Sequence, residues 1–398
     1  MPILPDQYHC TGCFSCVDAC PQNALNTIVN TEGHFIYSIE KEKCVECHRC
    51  EKVCPINKDS FIYGSNDLTM SLPYAAWCLD QELRHDSTSG GVFAALAKKT
   101  LDDGGAVIGA TLQNNKIRHV FIDKLSDLTK LQGSKYAQSN TKGIYLQTLQ
   151  QLKKGKTVLF SGTGCQVAGL LSFLPSSLET SNLITVDLVC GGVPSNFLID
   201  TYLSYNNETV KEISGFRNKE KYEFSVVDKG GEKKVVPITA RPLPLCGFYT
   251  EMTNRYSCYD CQFAYAHRKA DLTIGDLWGD KRYTEQHIKG ISLVIVHSQK
   301  GKKATEESEL EIHEVEWKDV LPYNPRIAYG KNLLVRTRER KRLSVAFKED
   351  SFQQLLDDYA NDASFKRPWS VIKKLYRVIL ITINHRIAVA HINRLLKG

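Results

Sequence analysis

A cysteine run written twice dominates the start of this sequence. Cys10-x2-Cys13-x2-Cys16-x3-Cys20-Pro21 recurs as Cys44-x2-Cys47-x2-Cys50-x3-Cys54-Pro55. Three thiolates so spaced wrap one corner of a cuboidal 4Fe-4S cluster, while the fourth, followed by proline, turns away to ligate the other cluster. The spacing predicts one cluster on Cys10, Cys13, Cys16 and Cys54 and a second on Cys44, Cys47, Cys50 and Cys20. Zinc is the competing reading. It also takes four thiolates, usually as two separated pairs, and would make the module purely structural.

Residues 1–58 accordingly read as an α+β module of the bacterial ferredoxin type. Fourteen cysteines would suit a disulfide scaffold in a small secreted protein, but eight of them at metal-ligand spacing in a chain of 398 residues imply reduced thiolates. Met1 to His9 carries neither the basic nor the apolar part of a signal peptide, and no later apolar run approaches the ~18 residues of a spanning helix. The expected location is cytoplasmic. The net charge of +7 is concentrated at the end, where Lys366 to Gly398 holds eight Lys or Arg and no Asp or Glu. The body is therefore close to neutral and carries no nucleic-acid footprint.

A polar stretch through Ser60, Gly64, Ser65, Asn66 and Asp67 to Pro73 reads as a linker over 59–73. The body follows in two regions, 74–155 and 156–330. In the first, "STSGGVFAALAKKTLDDGG" predicts a helix capped by hydroxyls at Ser87 to Ser89 and stopped at Gly104. Short strands over Ala106 to Leu112 and Ile117 to Ile122 are split by Asn114 and Asn115 in hairpin style, and an amphipathic helix follows from Ile144 to Lys154. In the second, "TVLFSG" and "LITVDLVC" are apolar strands separated by a helix from Cys165 to Leu174, Ile213 to Ile238 alternates like antiparallel strands, and "GISLVIVHS" is a buried strand. The expected body is α/β with a mixed sheet.

Four further thiols lie in suggestive places. Cys165 follows one strand at a helix N-terminus, where the dipole lowers a thiol pKa, and Cys190 ends a second strand. Such strand ends share one crevice in α/β sheets. Cys258-x2-Cys261 suits a cluster, zinc or a redox-active dithiol, and a lone cysteine is more often core. "STSGG" can present backbone N–H groups to a phosphate or serve as an ordinary cap. "GSKYAQS" groups a cation and an aromatic with hydrogen-bonding side chains, which a solvated loop explains equally well. "SGTGCQVAG" lacks the G-x-G-x-x-G spacing of a dinucleotide fold, and the eleven histidines show no paired spacing.

In order, "STSGG", "GSKYAQS", "VLFSGTGCQ", "DLVCGGVPS", "FRNK", "SCYDCQFAYAHRKADLTIGDLWG" and "GISLVIV" resemble the coenzyme F(420) hydrogenase/dehydrogenase beta-subunit family over about Tyr74 to Val296. Members of that family bind FAD beside a 4Fe-4S cluster; they include deazaflavin-reducing hydrogenase subunits and ferredoxin-dependent chlorophyll-pathway reductases. Relatives with a fused ferredoxin accompany bacterial surface-polysaccharide genes. The resemblance implies a third cluster on Cys165, Cys190, Cys258 and Cys261. It also implies FAD contacts from Ser87, Ser89, Gly90, Gly91, Lys135, Tyr136, Gln138 and Ser139. Two positions depart from the family pattern, Gly164 where Pro is frequent and Gly191 where His is frequent.

The expected function is that of an iron–sulfur flavoprotein oxidoreductase, passing electrons between its clusters and FAD to serve an organic acceptor. The alternatives are a non-catalytic electron-transfer subunit supplying a partner enzyme, and a scaffold that retains its clusters for folding. The partner is a redox protein or a small organic acceptor. The tail, 331–398, reads as basic and helical, with Ile372, Leu375, Ile379 and Ile383 at helical spacing and Lys373, Lys374 and Arg377 turned elsewhere. That pattern suits either an anionic membrane surface at the inner face or packing on the protein's own body. Anaerobically purified protein is expected to be brown, with about eight irons from the first module; a colourless zinc protein would sink the cluster reading.

Overall fold

The structure is a computed structural model and describes residues 1–57, 61–217, 223–237, 240, 242–251, 253–331, 383 and 385–397. The first module contains α1 (Ser15–Asp18), an antiparallel hairpin of β1 (Leu25–Val29) and β2 (Phe35–Ile39), and α2 (Arg49–Lys52). Phe14, Cys16, Val17, Leu25 and Cys50 form its small core. Both cysteine runs use the same backbone device. Gly12 and Phe14 in the first, and Glu46 and His48 in the second, take positive φ at the second and fourth positions after the leading cysteine. Left-handed residues at these points coil the chain so that successive thiols face one side.

The stretch read as a linker is instead fastened to the body. Tyr63 is buried and its hydroxyl donates to Asp187 Oδ2 at 2.6 Å. β3 (Gly64–Ser65) pairs with β12 (His267–Arg268), and β4 begins at Leu72. Polar composition was a poor guide because these groups bond inward to the body. Lys58, Asp59 and Ser60 lie outside the described residues.

The body is built on an eight-stranded mixed sheet. Its strands are β4 (Leu72–Cys78), β5 (Ala106–Gln113), β6 (Lys116–Ile122), β7 (Val158–Gly162), β8 (Leu183–Leu188), β13 (Leu272–Asp276), β14 (Ser292–Val296) and β15 (Leu310–Glu314), in the order β15-β4-β14-β13-β8-β7-β5-β6. β13, β8, β7 and β5 are parallel neighbours, and antiparallel strands flank them on both sides. Asn114 and Asn115 both have positive φ, as a two-residue hairpin between twisted strands requires.

Side chains alternate along each strand to feed two layers. Val107, Leu159, Val186 and Leu272 pack beneath α4 (Val92–Asp102), while Ala106, Ile108, Val158, Phe160 and Leu183 pack against α5 (Ile144–Lys153) and α6 (Gly164–Phe173). The segment from Ile213 does form antiparallel strands, in a separate three-stranded sheet of β9 (Val210–Gly215), β10 (Phe224–Asp228) and β11 (Lys233–Val236). The hydroxyls read as caps of α4 are used otherwise. Gly91 is its N-cap, while Ser87 donates to Leu83 O, Ser89 donates to Ile291 O, and the Thr88 hydroxyl accepts from Ser134 N–H.

The first module is docked on α5 and α6. Thr141 donates to Cys13 O at 2.7 Å, and Gly169 of α6 stands so close that an added Cβ would lie 3.0 Å from Cys13 Sγ. At the other end, Ala388 and Ile392 of the helical stretch 385–395 are buried, Ile392 among Leu321, Ile327 and Ala328, and His391 lies against Tyr329. The described end of the tail therefore packs on the body; Ile383 is exposed, and Ile372, Leu375 and Ile379 fall outside the described residues. Among the described residues no helix is long and apolar enough to cross a membrane.

Asp18 is the hinge of the docking. It accepts from Gly143 N–H at 2.6 Å and Tyr145 N–H at 3.0 Å, and so caps α5 from another module, since Gly143 offers no side chain. Burial pushes its carboxyl up to about 6 against the pull of those N–H groups. Asp18→Ala is expected to cost about 1 kcal/mol, read as an earlier unfolding midpoint under anaerobic conditions; an unchanged midpoint would show that the joint does not depend on the cap.

Candidate functional site

Twelve cysteines line three cavities. Cys20, Cys44, Cys47 and Cys50 surround the outermost, where Cys47 is exposed. Cys10, Cys13, Cys16 and Cys54 surround an inner one closed by Phe14, Tyr37 and Ile56. Cys16 and Cys50 share the apolar core between the two. Burial, reinforced by the neighbouring Cys54 thiol, pushes Cys13 up to about 12, and Cys16 is driven up in the same way. Backbone N–H groups of Gly12 and Ala24 point at the sulfurs of Cys10 and Cys20, at 3.3 and 3.2 Å.

Among the described residues no three His, Cys, Asp or Glu side chains close on a single point as one metal ion requires. The sulfurs instead stand around a space. A cuboidal cluster fits that arrangement, and its iron supplies the positive charge that lets buried thiols ionise.

The third cavity, about 120 Å3, is lined by Cys165, Cys190, Cys258 and Cys261. The first two lie beyond the carboxyl ends of the parallel strands β7 and β8, where a crevice is expected. Cys258 lies in the turn Tyr256–Tyr259. Thr11 and Ile56 border this cavity and the inner one alike. The helix-dipole expectation for Cys165 is overturned. Burial pushes its thiol well up, and the Thr163 hydroxyl at 3.1 Å only partly offsets this. Cys258 is likewise pushed up to about 12, by burial and then by Cys190 and Cys261.

The fourth cavity, about 490 Å3, opens on the same sheet edge and shares Thr163, Gln166 and Cys190 with the third. Ser87, Ser89, Gly91, Lys135, Tyr136 and Ser139 line it. Gly90 does not; its N–H donates to Ser292 Oγ, and a Cβ there would meet Ala76 O at 2.5 Å. Gln138 faces the opposite way, accepting from Phe35 N–H at 2.7 Å in the joint with the first module. Gly191 lines the cavity with no side chain, and the nearest wall is the Phe248 ring, 3.7 Å from where a Cβ would stand.

Several lining groups escaped sequence reasoning. Arg217 pairs with Asp276 at 2.7 Å and donates to Tyr136 Oη at 3.3 Å, while Tyr136 stacks on Phe248 with centroids 3.8 Å apart. Both charged residues sit in short segments, "FRNK" and "GDLWG", whose meaning depends on strands distant in sequence. His119 is buried and held down to about 4 by desolvation, so it is neutral; its Nε2–H donates to Ser161 O and its Nδ1 accepts from Ser139. Lys135 is partly buried, donates to Leu131 O and Gln132 O at 2.9 and 2.7 Å, and is lowered to about 7 by desolvation.

Three family models match the chain: the "4Fe-4S dicluster domain" over 9–58, and "Coenzyme F(420) hydrogenase/dehydrogenase, beta subunit" over 73–144 for its N-terminal part and 155–318 for its C terminus. An uncharacterized ferredoxin of Methanocaldococcus jannaschii is 34% identical over 55 residues, 14% of this chain and 70% of that protein. A ferredoxin of Alicyclobacillus acidocaldarius is 40% identical over 42 residues, 11% of this chain, which spans about half (47%) of that relative. Among solved structures, a chain of the F(420)-reducing NiFe hydrogenase complex from Methanosarcina barkeri superposes with a TM-score of 0.43 at 18% identity, over 70% of this chain and 90% of that one.

With the Lys135 ammonium lowered to about 7, anion binding in the fourth cavity is expected to depend on pH. A bound anion favours the ammonium, so binding takes up a proton once the pH exceeds about 7. Affinity for sulfate, which does not itself titrate in this range, measured by calorimetry, is expected to fall as pH rises through that value, by at most about tenfold per unit. Lys135→Met should weaken binding and flatten the profile; a wild-type profile that is already flat would count against this.

Proposed function

Because the chain belongs to the coenzyme F(420) hydrogenase/dehydrogenase beta-subunit family and carries a 4Fe-4S module, we propose that it is an electron-transfer oxidoreductase with three 4Fe-4S clusters and FAD, serving an organic acceptor. The observation that carries this is the continuity of the four cavities. The outermost adjoins the inner through Cys16 and Cys50, the inner adjoins the third through Thr11 and Ile56, and the third adjoins the large one through Cys190.

Cys20, Cys44, Cys47 and Cys50 hold the outer cluster in this reading, Cys10, Cys13, Cys16 and Cys54 the inner, and Cys165, Cys190, Cys258 and Cys261 the third. The exposed Cys47 edge is where a redox partner reaches the chain. A volume of about 490 Å3 falls within the range of cofactor pockets. Lys135, with two of its three N–H groups on carbonyls, has one left for a diphosphate oxygen, and the stacked Tyr136 and Phe248 suit the wall of a ring system. When bound, a flavin joins one-electron to two-electron chemistry. Neutral His119 keeps Ser139 oriented beside it, and the Arg217–Asp276 pair holds the outer wall. The acceptor is specified only as an organic molecule.

The exposed outer cavity also favours the second reading, a subunit that relays electrons to a partner enzyme without turning over an acceptor itself. Turnover of small acceptors by the isolated protein separates the two. An anaerobic count of iron, acid-labile sulfide and flavin tests the cofactors. About twelve irons and one FAD are expected, and Cys258→Ala should lose about four irons while keeping about eight. A wild-type count of about eight irons without flavin would overturn both the third cluster and the flavin.

A further inference from the structure

Arg255 is the largest fully buried side chain of the described residues, 1% exposed, and it stands between the inner and third cavities. Its Nη1 donates to Cys10 O at 3.0 Å, and its Nη2 donates to Phe35 O and to Gln138 Oε1, the latter at 2.7 Å. All three acceptors are neutral, and its Nε has no hydrogen-bond partner. The other two arginines lining the third cavity are different. Arg268 is neutralised by buried Asp187 at 3.0 Å, and Arg326 by Glu251 at 3.2 Å. Among the described residues no carboxylate pairs with Arg255.

A guanidinium stays charged in proteins, and a buried charge without a counter-charge is strongly disfavoured. The carbonyl oxygens satisfy its N–H groups but not its net charge. The space around it is also committed. Gly12 has φ +67°, and a Cβ there would fall 2.7 Å from Arg255 Nη2, so the first cysteine run is shaped to admit this side chain. Sulfur-lined space lies on both sides of it: Arg255 donates to the backbone carbonyl of Cys10, a residue of the inner cavity, and itself lines the third cavity beside Cys258. A cuboidal cluster on four thiolates is anionic in both redox states and gains one further negative charge on reduction.

We propose that Arg255 is the shared counter-cation of the inner ferredoxin cluster and the third cluster, raising both reduction potentials relative to the outer cluster. It is a positioning residue in this sense: it touches the cluster surroundings and no acceptor. The step it tunes moves one electron between clusters, with no bond made or broken and no proton transferred. The inference rests on the ligand sets proposed above.

The test is a redox titration of the full chain followed by electron paramagnetic resonance, for wild type, Arg255→Gln and Gln138→Glu. Gln138→Glu leaves the guanidinium in place but sets a carboxylate against it, so it probes the same charge if Arg255→Gln fails to load iron. Either variant is expected to make reduction of the inner and third clusters about tenfold less favourable, a fall of about 59 mV for a one-electron couple, with the outer cluster unchanged. A purely structural latch would leave all potentials where they are. Unchanged potentials in a fully loaded variant, or an equal shift of all three clusters, would overturn the proposal. If wild type holds about eight irons rather than about twelve, the third-cluster reading fails separately, and the shift of the inner ferredoxin cluster still decides the role of Arg255.

Discussion

Thiols gathered in a dry place resist ionisation, and the whole layout of this protein follows from that resistance. Cys13 and Cys258 are each pushed up to about 12, and their neighbours are driven up alongside them. Several thiolates facing one another across a desolvated cavity are stable only around a cationic core, so cluster binding and folding are linked. The backbone prepares for that core at a conformational cost. Non-glycine residues Phe14, Glu46 and His48 hold positive φ, where each is disfavoured, because the cysteine runs cannot otherwise converge.

The joint between the first module and the body answers a second demand, close approach of two separately built parts. Gly169 lets α6 approach Cys13, Thr141 and Ser257 reach the backbone of the first cysteine run, and Asp18 caps α5 in return. Each contact is a hydrogen bond or a missing side chain, and none is an exposed ion pair that salt would weaken. The inner cavity is thus held against the third by groups whose geometry is fixed on both sides.

Local chemistry was legible in the sequence, and long-range chemistry was not. The cysteine runs, the Asn114–Asn115 hairpin and the apolar strands announce themselves because their meaning lies within ten residues of one another. Gln138 and Ser139 are adjacent, yet one turns to the joint and the other to the large cavity, and no periodicity in a loop predicts which. The polar stretch before β4 read as a linker because polarity marks exposure only on average; here Tyr63 is buried against Asp187, more than a hundred positions away. Arg217 and Asp276 were invisible for the same reason, since an ion pair across 59 residues leaves no spacing signal. The hydroxyls at Ser87 to Ser89 misled because a cap and a tertiary hydrogen bond use the same residue types.

The fourth cavity has two walls of different origin, and this bears on how its chemistry can change. The inner wall comes from the parallel strands and their carboxyl-end turns, which also carry Cys165 and Cys190, so a substitution there disturbs the cluster side. The outer wall is set by Arg217, Phe248 and the Tyr136 ring between them. Arg217 and Phe248 belong to the segment of the separate three-stranded sheet, whose core of Ile213, Phe216, Phe224, Val226 and Leu245 meets the main sheet at Ile117 of β6 and at Ala110 and Leu112 of β5. Arg217 reaches across to Asp276 at the end of β13 and is the charged tie between the two parts. Gly191, set against Phe248 with room for a side chain, directly follows Cys190 and so belongs to the inner wall. The outer wall thus meets the main sheet at its β5–β6 end, away from Cys165 and Cys190, and a substitution at Arg217 or Phe248 acts on that end first.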